Sequence, residues 1–258
     1  MGVTLTDIDD AAAALATLVA EARRAVVFTG AGLSTESGIP DYRSAGGIWS
    51  QMEPITYDAF CRSEEARMED WRRRFIMGDQ FASAEPNAAH QAIAHLATDG
   101  PVTAVITQNI DGLHRRSGVP EDKMIELHGC ADHATCLDCH RRYEIDWVRA
   151  EVSARHKVPR CTRCGGLIKA AIVSFGQMMP ADAMEEAEAH SLAADVFFAL
   201  GSSLVVYPAA GFPRLAKANG ARLVIASAEP TDQDDSADVV IRTPLAATFA
   251  QSGLLRFD

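Results

Sequence analysis

Two C-x2-C pairs, Cys136/Cys139 and Cys161/Cys164, oblige one stretch of this chain to fold so that four sulfurs meet, and no other feature restricts its fold as strongly. Each pair offers two thiolates from a tight turn, and four sulfurs complete a tetrahedral zinc shell with no position left for water. A closed shell of this kind is structural. The gap of 21 residues between the pairs exceeds the usual spacing of about 15–20, so residues 143–157 are expected to add a strand or a helix. Gly165 and Gly166 suit the turn after the second pair. His133 and His140 flank the first pair, but four cysteines already suffice. Cys61 and Cys130 have no partner at ligand spacing and read as ordinary small buried side chains.

The rest of the chain alternates. Residues 7–24 are alanine-rich with Leu15, Leu18 and Val19 at helical spacing, and Thr6 or Asp7 is placed to cap them. Ala25-Val-Val-Phe-Thr29 then runs into Gly30, as a buried strand feeding a glycine turn does. Similar apolar runs recur at 102–107, 195–200, 222–226 and 238–241, with helical stretches such as 212–219 between several of them. This pattern predicts an α/β fold, a Rossmann-like, mostly parallel sheet with helices on both faces. Two regions break the alternation. The expected division is a nucleotide-binding domain of 1–48, 97–125 and 181–258, a helical insertion over 49–96, and a zinc-binding module over 126–180. Net charge is -11, which repels phosphate backbones, so nucleic acid is not an expected partner. No apolar run reaches the roughly 20 residues of a membrane span, and residues 1–10 lack the order of a signal peptide. Paired cysteines serving as metal ligands suit a reducing compartment, so the expected location is cytoplasmic, away from membranes.

Gly30-Ala31-Gly32 follows a strand, where backbone free of Cβ atoms can approach a pyrophosphate. The full dinucleotide fingerprint wants a third small residue where Thr35 stands and an acidic strand end about 20 residues on; Glu53 lies in range but not at a strand end. An ordinary hydride-transferring dehydrogenase is therefore disfavoured. Asp41, Tyr42 and Arg43 belong to a polar loop suited to folding over a ligand. The 102–107 strand delivers Gln108, Asn109 and Asp111 at its carboxyl end, where open α/β sheets place ligands. An amide pair beside a carboxylate can hold a ribose and a carboxamide. His128, beside Gly129 and between the two modules, is a candidate general base.

In seven ordered motifs the chain resembles the sirtuins, NAD-dependent protein-lysine deacylases of bacterial type. The motifs are Gly30 through Arg43, Thr107-Gln-Asn-Ile-Asp-Gly-Leu-His114, Glu126-Leu-His-Gly129, the four cysteines, Phe175-Gly176, Gly201 through Ala210, and Glu229-Pro-Thr231. The resemblance implies a transferase-type enzyme for which NAD is a co-substrate and zinc (Zn2+) a structural ion, acting on acylated protein lysines, acetyl-lysine foremost. The acyl oxygen attacks the nicotinamide ribose C1′ and nicotinamide leaves. His128 then activates a ribose hydroxyl, and the products are free lysine and O-acyl-ADP-ribose. The catalytic group would be His128, Asn109 and Asp111, with Asn109 orienting water or ribose and Asp111 binding the carboxamide. NAD would touch Gly30, Ala31, Gly32, Thr35, Asp41, Tyr42, Arg43, Trp49, Gln108, Ile110, Gly201, Ser202, Ser203, Ser227 and Glu229. Val173, Phe175 and Gly176 on one side and Val205 and Val206 on the other would sandwich the substrate backbone as strand-like segments. Mono-ADP-ribosyl transfer to protein, or NAD glycohydrolysis in the same pocket, stays open as the alternative.

The chain departs from that family at four places. Tyr42 replaces a phenylalanine, Gln177 a glutamate, and Ser227 an asparagine near the adenosine end. Trp71-Arg72-Arg73-Arg74 occupies the region where desuccinylating relatives carry Tyr-x-x-Arg. Arg74 or a neighbour can pair with an acidic acyl group, and a solvated helix face is expected for at least two of the arginines.

Overall fold

Seven short strands share one sheet, the central ones apolar on both faces. The computed structural model describes residues 2–42, 47–48 and 52–255. Strands β2 (Ala25–Thr29) and β8 (Val196–Leu200) are buried at every position, and β3 (Val102–Thr107) and β9 (Arg222–Ala226) at all but one, as parallel strands covered on both sides must be. With β4 (Met124–Glu126), β10 (Val239–Ile241) and the edge strand β1 (Val3–Leu5), they pair in the order β1-β10-β9-β8-β2-β3-β4, every neighbour parallel. Sequence order reverses between β2 and β8, the place where a doubly wound sheet opens a crevice beyond its carboxyl ends.

Successive residues of β2 serve opposite faces. Val27 packs with α1 (Ile8–Glu21), α4 (Ala88–Thr98) and α9 (Leu245–Gln251), while Val26 and Phe28 pack with α7 (Ala181–Ala193) and α8 (Phe212–Ala218). Phe28 and Phe197 are fully buried with ring centroids 6.2 Å apart, and each such burial is worth about 1.5–3 kcal/mol. Asp7 caps α1 by accepting from the Asp9 and Asp10 amides, and Asn87 caps α4 by accepting from Ala89 and His90.

The expected helical stretch over 49–96 contains α2 (Tyr57–Arg62), α3 (Glu64–Ser83) and α4. These separate: α4 is buried against β3 and α9 in the core of the large sheet, whereas α2 and α3 join the cysteine region. There β5 (Gly129–Cys136), β6 (Arg142–Glu144) and β7 (Ile168–Ile172) form an antiparallel sheet ordered β6-β5-β7, backed by α6 (Ile145–Arg155). Phe60 and Trp71 share one core with Tyr143, Val148 and Ile168, and the Trp71 indole N–H donates to the Ile168 carbonyl at 3.3 Å. Arg149 on α6 pairs with Asp79 on α3 at 2.7 Å.

Neither segment expected to be strand-like beside the substrate is a strand. β7 ends at Ile172, and Phe175-Gly176 form a turn in which Gly176 takes φ +81° and the Gln177 amide donates to the Ser174 carbonyl. Val205 and Val206 lie in a loop that follows Leu204 at φ +56°. Among the described residues, no helix is long and apolar enough to cross a membrane.

Candidate active site

At the reversal between β2 and β8 a cleft of about 810 Å³ opens against the cysteine module. The two strands end in glycine turns that lie against each other. The Gly30 amide donates to the Leu200 carbonyl at 3.0 Å and the Gly32 amide to the Gly201 carbonyl at 2.8 Å. A Cβ on Gly30 would stand 2.8 Å from the Gly201 oxygen, and one on Gly201, which takes φ +65°, would fall on the Leu33 amide. This close approach explains why glycine stands at both turns. No α-helix follows β2 directly. Two 3-10 turns, Ala31–Leu33 and Thr35–Ser37, carry the chain along the cleft instead.

Beyond β3, the Gln108 side-chain amide donates to the Ser202 hydroxyl at 2.9 Å, tying the ends of β3 and β8 together. Asn109 is 7% exposed and donates to the Gly30 carbonyl at 3.1 Å and to the Ser34 hydroxyl at 3.3 Å. The Asp111 carboxylate accepts from the Ser34 hydroxyl at 2.8 Å and from the Leu113 amide at 2.9 Å, at the start of α5 (Leu113–Arg116). Burial raises its pKa. Behind this layer lie His90 and His114, ring centroids 5.1 Å apart. Burial pushes His90 down to about 4 and His114, with a further contribution from His90, to about 3, so both are neutral at physiological pH.

His128 sits between β4 and β5. Its Nδ1 lies 3.0 Å from the Gln108 carbonyl oxygen. A carbonyl can only accept, so Nδ1 carries the proton and Nε2 presents a lone pair. Burial lowers the His128 pKa below the ordinary imidazole value, with the Gln108 hydrogen bond opposing, which keeps that lone pair free at neutral pH. The backbone is pinned on both sides. The Val173 amide donates to the His128 carbonyl at 2.9 Å, and Gly129 takes φ +73° with its Cβ position on the Ala171 oxygen.

The cleft is lined by Gly30, Ala31, Gly32, Thr35, Asp41, Tyr42, Gln108, Asn109, Ile110, His128, Gly201, Ser202, Ser203, Ser227 and Glu229, and by Val173, Phe175, Gly176 and Val206. Asp111 and Val205 are not among the described lining residues. Arg43 and Trp49 lie outside the described residues. Sequence reasoning did not single out Asp70, Met77, Ile172, Tyr207 and Arg242, which also line it; Asp70 stands beside the arginine run, Ile172 beside Val173, and Tyr207 inside the Gly201 through Ala210 motif, while Met77 and Arg242 had no neighbouring signal. The arginine run is itself corrected: Arg72 alone is solvated, with 59% of its side chain exposed and paired to Glu69. Trp71 is core. Arg73 and Arg74 line the cleft, with side chains 22% and 19% exposed and bonded to Glu69 and Asp70. At the far end Arg242 donates to the Ser227 carbonyl at 2.9 Å and pairs with Asp234.

The four cysteines of the C-x2-C pairs are free and converge, all sulfurs within 4.8 Å of one another. Cys136 and Cys164 are 3.5 Å apart and Cys139 and Cys161 3.6 Å, close to the edge of about 3.8 Å that bonds of ~2.3 Å give a tetrahedral zinc–sulfur shell. The donor set and its geometry fit zinc.

The family model described as the Sir2 family matches residues 30–208. The chain is 51% identical over 249 residues to NAD-dependent protein deacetylase 1 of Bradyrhizobium diazoefficiens, covering 96% of this chain and 98% of that one. It is 52% identical over 235 residues to an NAD-dependent protein deacetylase of Rhodopseudomonas palustris, covering 91% and 93%. NAD-dependent protein deacylase 2 of Archaeoglobus fulgidus matches at 43% over 228 residues, 88% of each chain. Among solved structures, a Sir2 protein with deacetylated p53 peptide and 3′-O-acetyl ADP ribose superposes with a TM-score of 0.87 at 36% identity, covering 94% and 98%. A Sir2 complex with p53 peptide and NAD+ gives 0.81 at 37% identity, covering 92% and 95%.

Proposed function

Since this chain belongs to the Sir2 family, we propose that it removes acyl groups, acetyl foremost, from protein lysine, with NAD consumed as co-substrate and zinc as a structural ion. The observation that carries the reading is the placement of His128: its Nδ1 faces the Gln108 carbonyl, which takes its ring proton, and its Nε2 lone pair is left for a cleft bounded by glycine turns. Bound NAD supplies an electrophilic ribose carbon; the chain's residues position it and exclude water. Gly30, Ala31 and Gly32 offer close backbone approach to the phosphates. Gln108 and Ser202, bonded to each other, offer polar groups to a ribose, as do Ser227 and Glu229 at the adenosine end.

Asn109 is assigned to orient ribose or water, because its amide is fixed by Gly30 and Ser34. Asp111 is assigned a positioning role, acting on Ser34 and, through that hydroxyl, on Asn109. The acyl-lysine enters between the turn at 173–176 and the loop at 205–206, where extended substrate can pair with backbone that no strand uses. We divide the chain into a nucleotide-binding sheet that includes α4 and a zinc module that includes α2 and α3. The free thiols point to a reducing, cytoplasmic setting, and the net charge of -11 argues against nucleic acid partners.

Incubation with NAD and a panel of acetyl-, succinyl- and longer-acyl-lysine peptides, followed by mass spectrometry, should yield nicotinamide, deacylated peptide and O-acyl-ADP-ribose in equal amounts. Nicotinamide release without deacylation would replace this reading with NAD hydrolysis or ADP-ribosyl transfer. The pH profile supplies a second check. A base works only while unprotonated, and burial lowers the His128 pKa from its ordinary 6.5, so activity is held to lower pH than an unburied imidazole would allow and is lost as pH falls through the lowered value. The acid limb of log kcat/KM, which reports the free enzyme, should break below 6.5. A break at or above that value would mean another group carries the proton.

A further inference from the structure

We propose that Tyr143 is a positioning residue of the four-sulfur centre: its hydroxyl donates to the Cys161 sulfur, fixing that sulfur for the metal and drawing off part of its negative charge. The inference rests on the zinc reading and concerns a residue that is not a metal ligand.

Tyr143 lies on β6, 18 residues before Cys161, with its side chain buried at 8% exposure. Its ring stacks on Trp147 at a centroid distance of 4.9 Å, which restricts where the hydroxyl can point. Among the described residues the hydroxyl oxygen has three hydrogen-bond neighbours: Cys161 Sγ at 3.1 Å, the Thr162 backbone nitrogen at 2.9 Å and Thr162 Oγ1 at 3.2 Å. Donor and acceptor chemistry orders them. The backbone N–H can only donate, so it takes one lone pair of the tyrosine oxygen. The tyrosine proton then has two acceptors, the sulfur and the threonine oxygen. Thr162 carries a proton of its own that can turn to the second tyrosine lone pair, whereas a zinc-bound thiolate has none. All three contacts are satisfied together only when the tyrosine proton lies on the sulfur, and a charged acceptor also makes the stronger bond. The Arg163 amide adds a second donor to the same sulfur at 3.4 Å.

Cys161 is thus tied to β6 as well as to its own turn. This joins the second C-x2-C pair to the strand that precedes α6, and it explains why a tyrosine hydroxyl is buried here. Groups that hydrogen-bond to ligating atoms orient them, and their loss typically costs about 10- to 100-fold in metal affinity.

The test uses the full chain loaded with zinc and compares wild type with Tyr143→Phe, which keeps the stacked ring. Zinc transfer to an excess of a chromogenic chelator should be about 10- to 100-fold faster in the variant. In the cobalt-substituted proteins the sulfur-to-cobalt charge-transfer band should move to longer wavelength, because the sulfur lone pair loses a stabilising donor. A role confined to packing the ring would move neither readout. Thr162→Val removes the competing acceptor and should leave zinc transfer within about twofold of wild type, the proton remaining on sulfur. The proposal is overturned if Tyr143→Phe matches wild type in rate and band, or if Thr162→Val accelerates zinc loss as much as Tyr143→Phe does. Wild-type protein that binds no zinc would instead remove the zinc reading itself.

Discussion

His128→Ala is expected to retain the fold and NAD binding while losing about 100- to 10,000-fold in peptide deacylation, the usual worth of a positioned general base. The side chain bonds to the Gln108 carbonyl, and the structural tie at this position, from the Val173 amide, goes to the His128 backbone. Removing the imidazole therefore spares the connection between the sheet and the zinc module. The order of steps sharpens the expectation. A base that acts on the ribose hydroxyl after nicotinamide has left is not needed for its departure, so exchange of labelled nicotinamide into NAD, driven by acyl peptide, should survive in the variant. Thermal unfolding, exchange and deacylation measured side by side separate the roles. Wild-type deacylation by His128→Ala would show that the base is another group, and a collapsed unfolding midpoint would show that the histidine serves packing.

How far the sequence could be read depended on how each segment is buried. β2, β3 and β9 occupy the apolar runs at 25–29, 102–107 and 222–226 without a shift, because a parallel strand covered on both faces must be apolar throughout and must stop where polar residues or glycine begin. β1 went unread. Three residues with two exposed positions carry no periodic signal, and their place is set by pairing with β10 across nearly the whole chain length. α4 and α3 both read as helix, yet only their surroundings reveal that one covers the large sheet and the other the zinc module. Helical periodicity shows that a face is buried and not against what.

The site shows the same division. Glycine turns and strand ends announce themselves, because their backbone chemistry is local, and so Gly30, Gln108 and Asn109 were legible, whereas Gly201 was reached only through the family resemblance. Asp111 was legible as a polar group at a strand end, while its partners are set by packing: its carboxylate accepts from Ser34 and Leu113. The arginines of α3 failed for a related reason. Polar side chains in succession suggest a solvated face, and only the packing of Trp71 into the module core rotates Arg73 and Arg74 toward the cleft. At Phe175 the chain departs from the strand-like segment that the resemblance implies, because Gly176 at positive φ turns it.

Cys136→Ser is expected to be the most destabilising single change at the metal centre. Cys136 is fully buried at the end of β5, its amide bonded to the Arg141 carbonyl at 2.9 Å and its carbonyl accepting from the His140 amide at 3.0 Å, so its place in the knuckle is fixed by backbone bonds as well as by its sulfur. A serine hydroxyl stays protonated where a thiol ionises, and three remaining thiolates bind zinc far more weakly. Structural zinc supplies about 10–16 kcal/mol in isolated zinc-finger peptides, so a loss of several kcal/mol is expected together with loss of bound zinc, read by denaturant unfolding and metal analysis of the purified protein. The damage should be unequal. β5 starts at Gly129, one residue after His128, and β7 leads into Val173, whose amide holds the His128 carbonyl. Loosening the module therefore displaces the base and the substrate turn, while Gly30 to Gly32 remain fixed by β2 and β8. Peptide deacylation should fall before NAD binding does. A Cys136→Ser protein that keeps one zinc per chain and the wild-type unfolding midpoint would show that the four sulfurs are not the ligands, and one that loses NAD binding first would show that the module supports the sheet rather than the base.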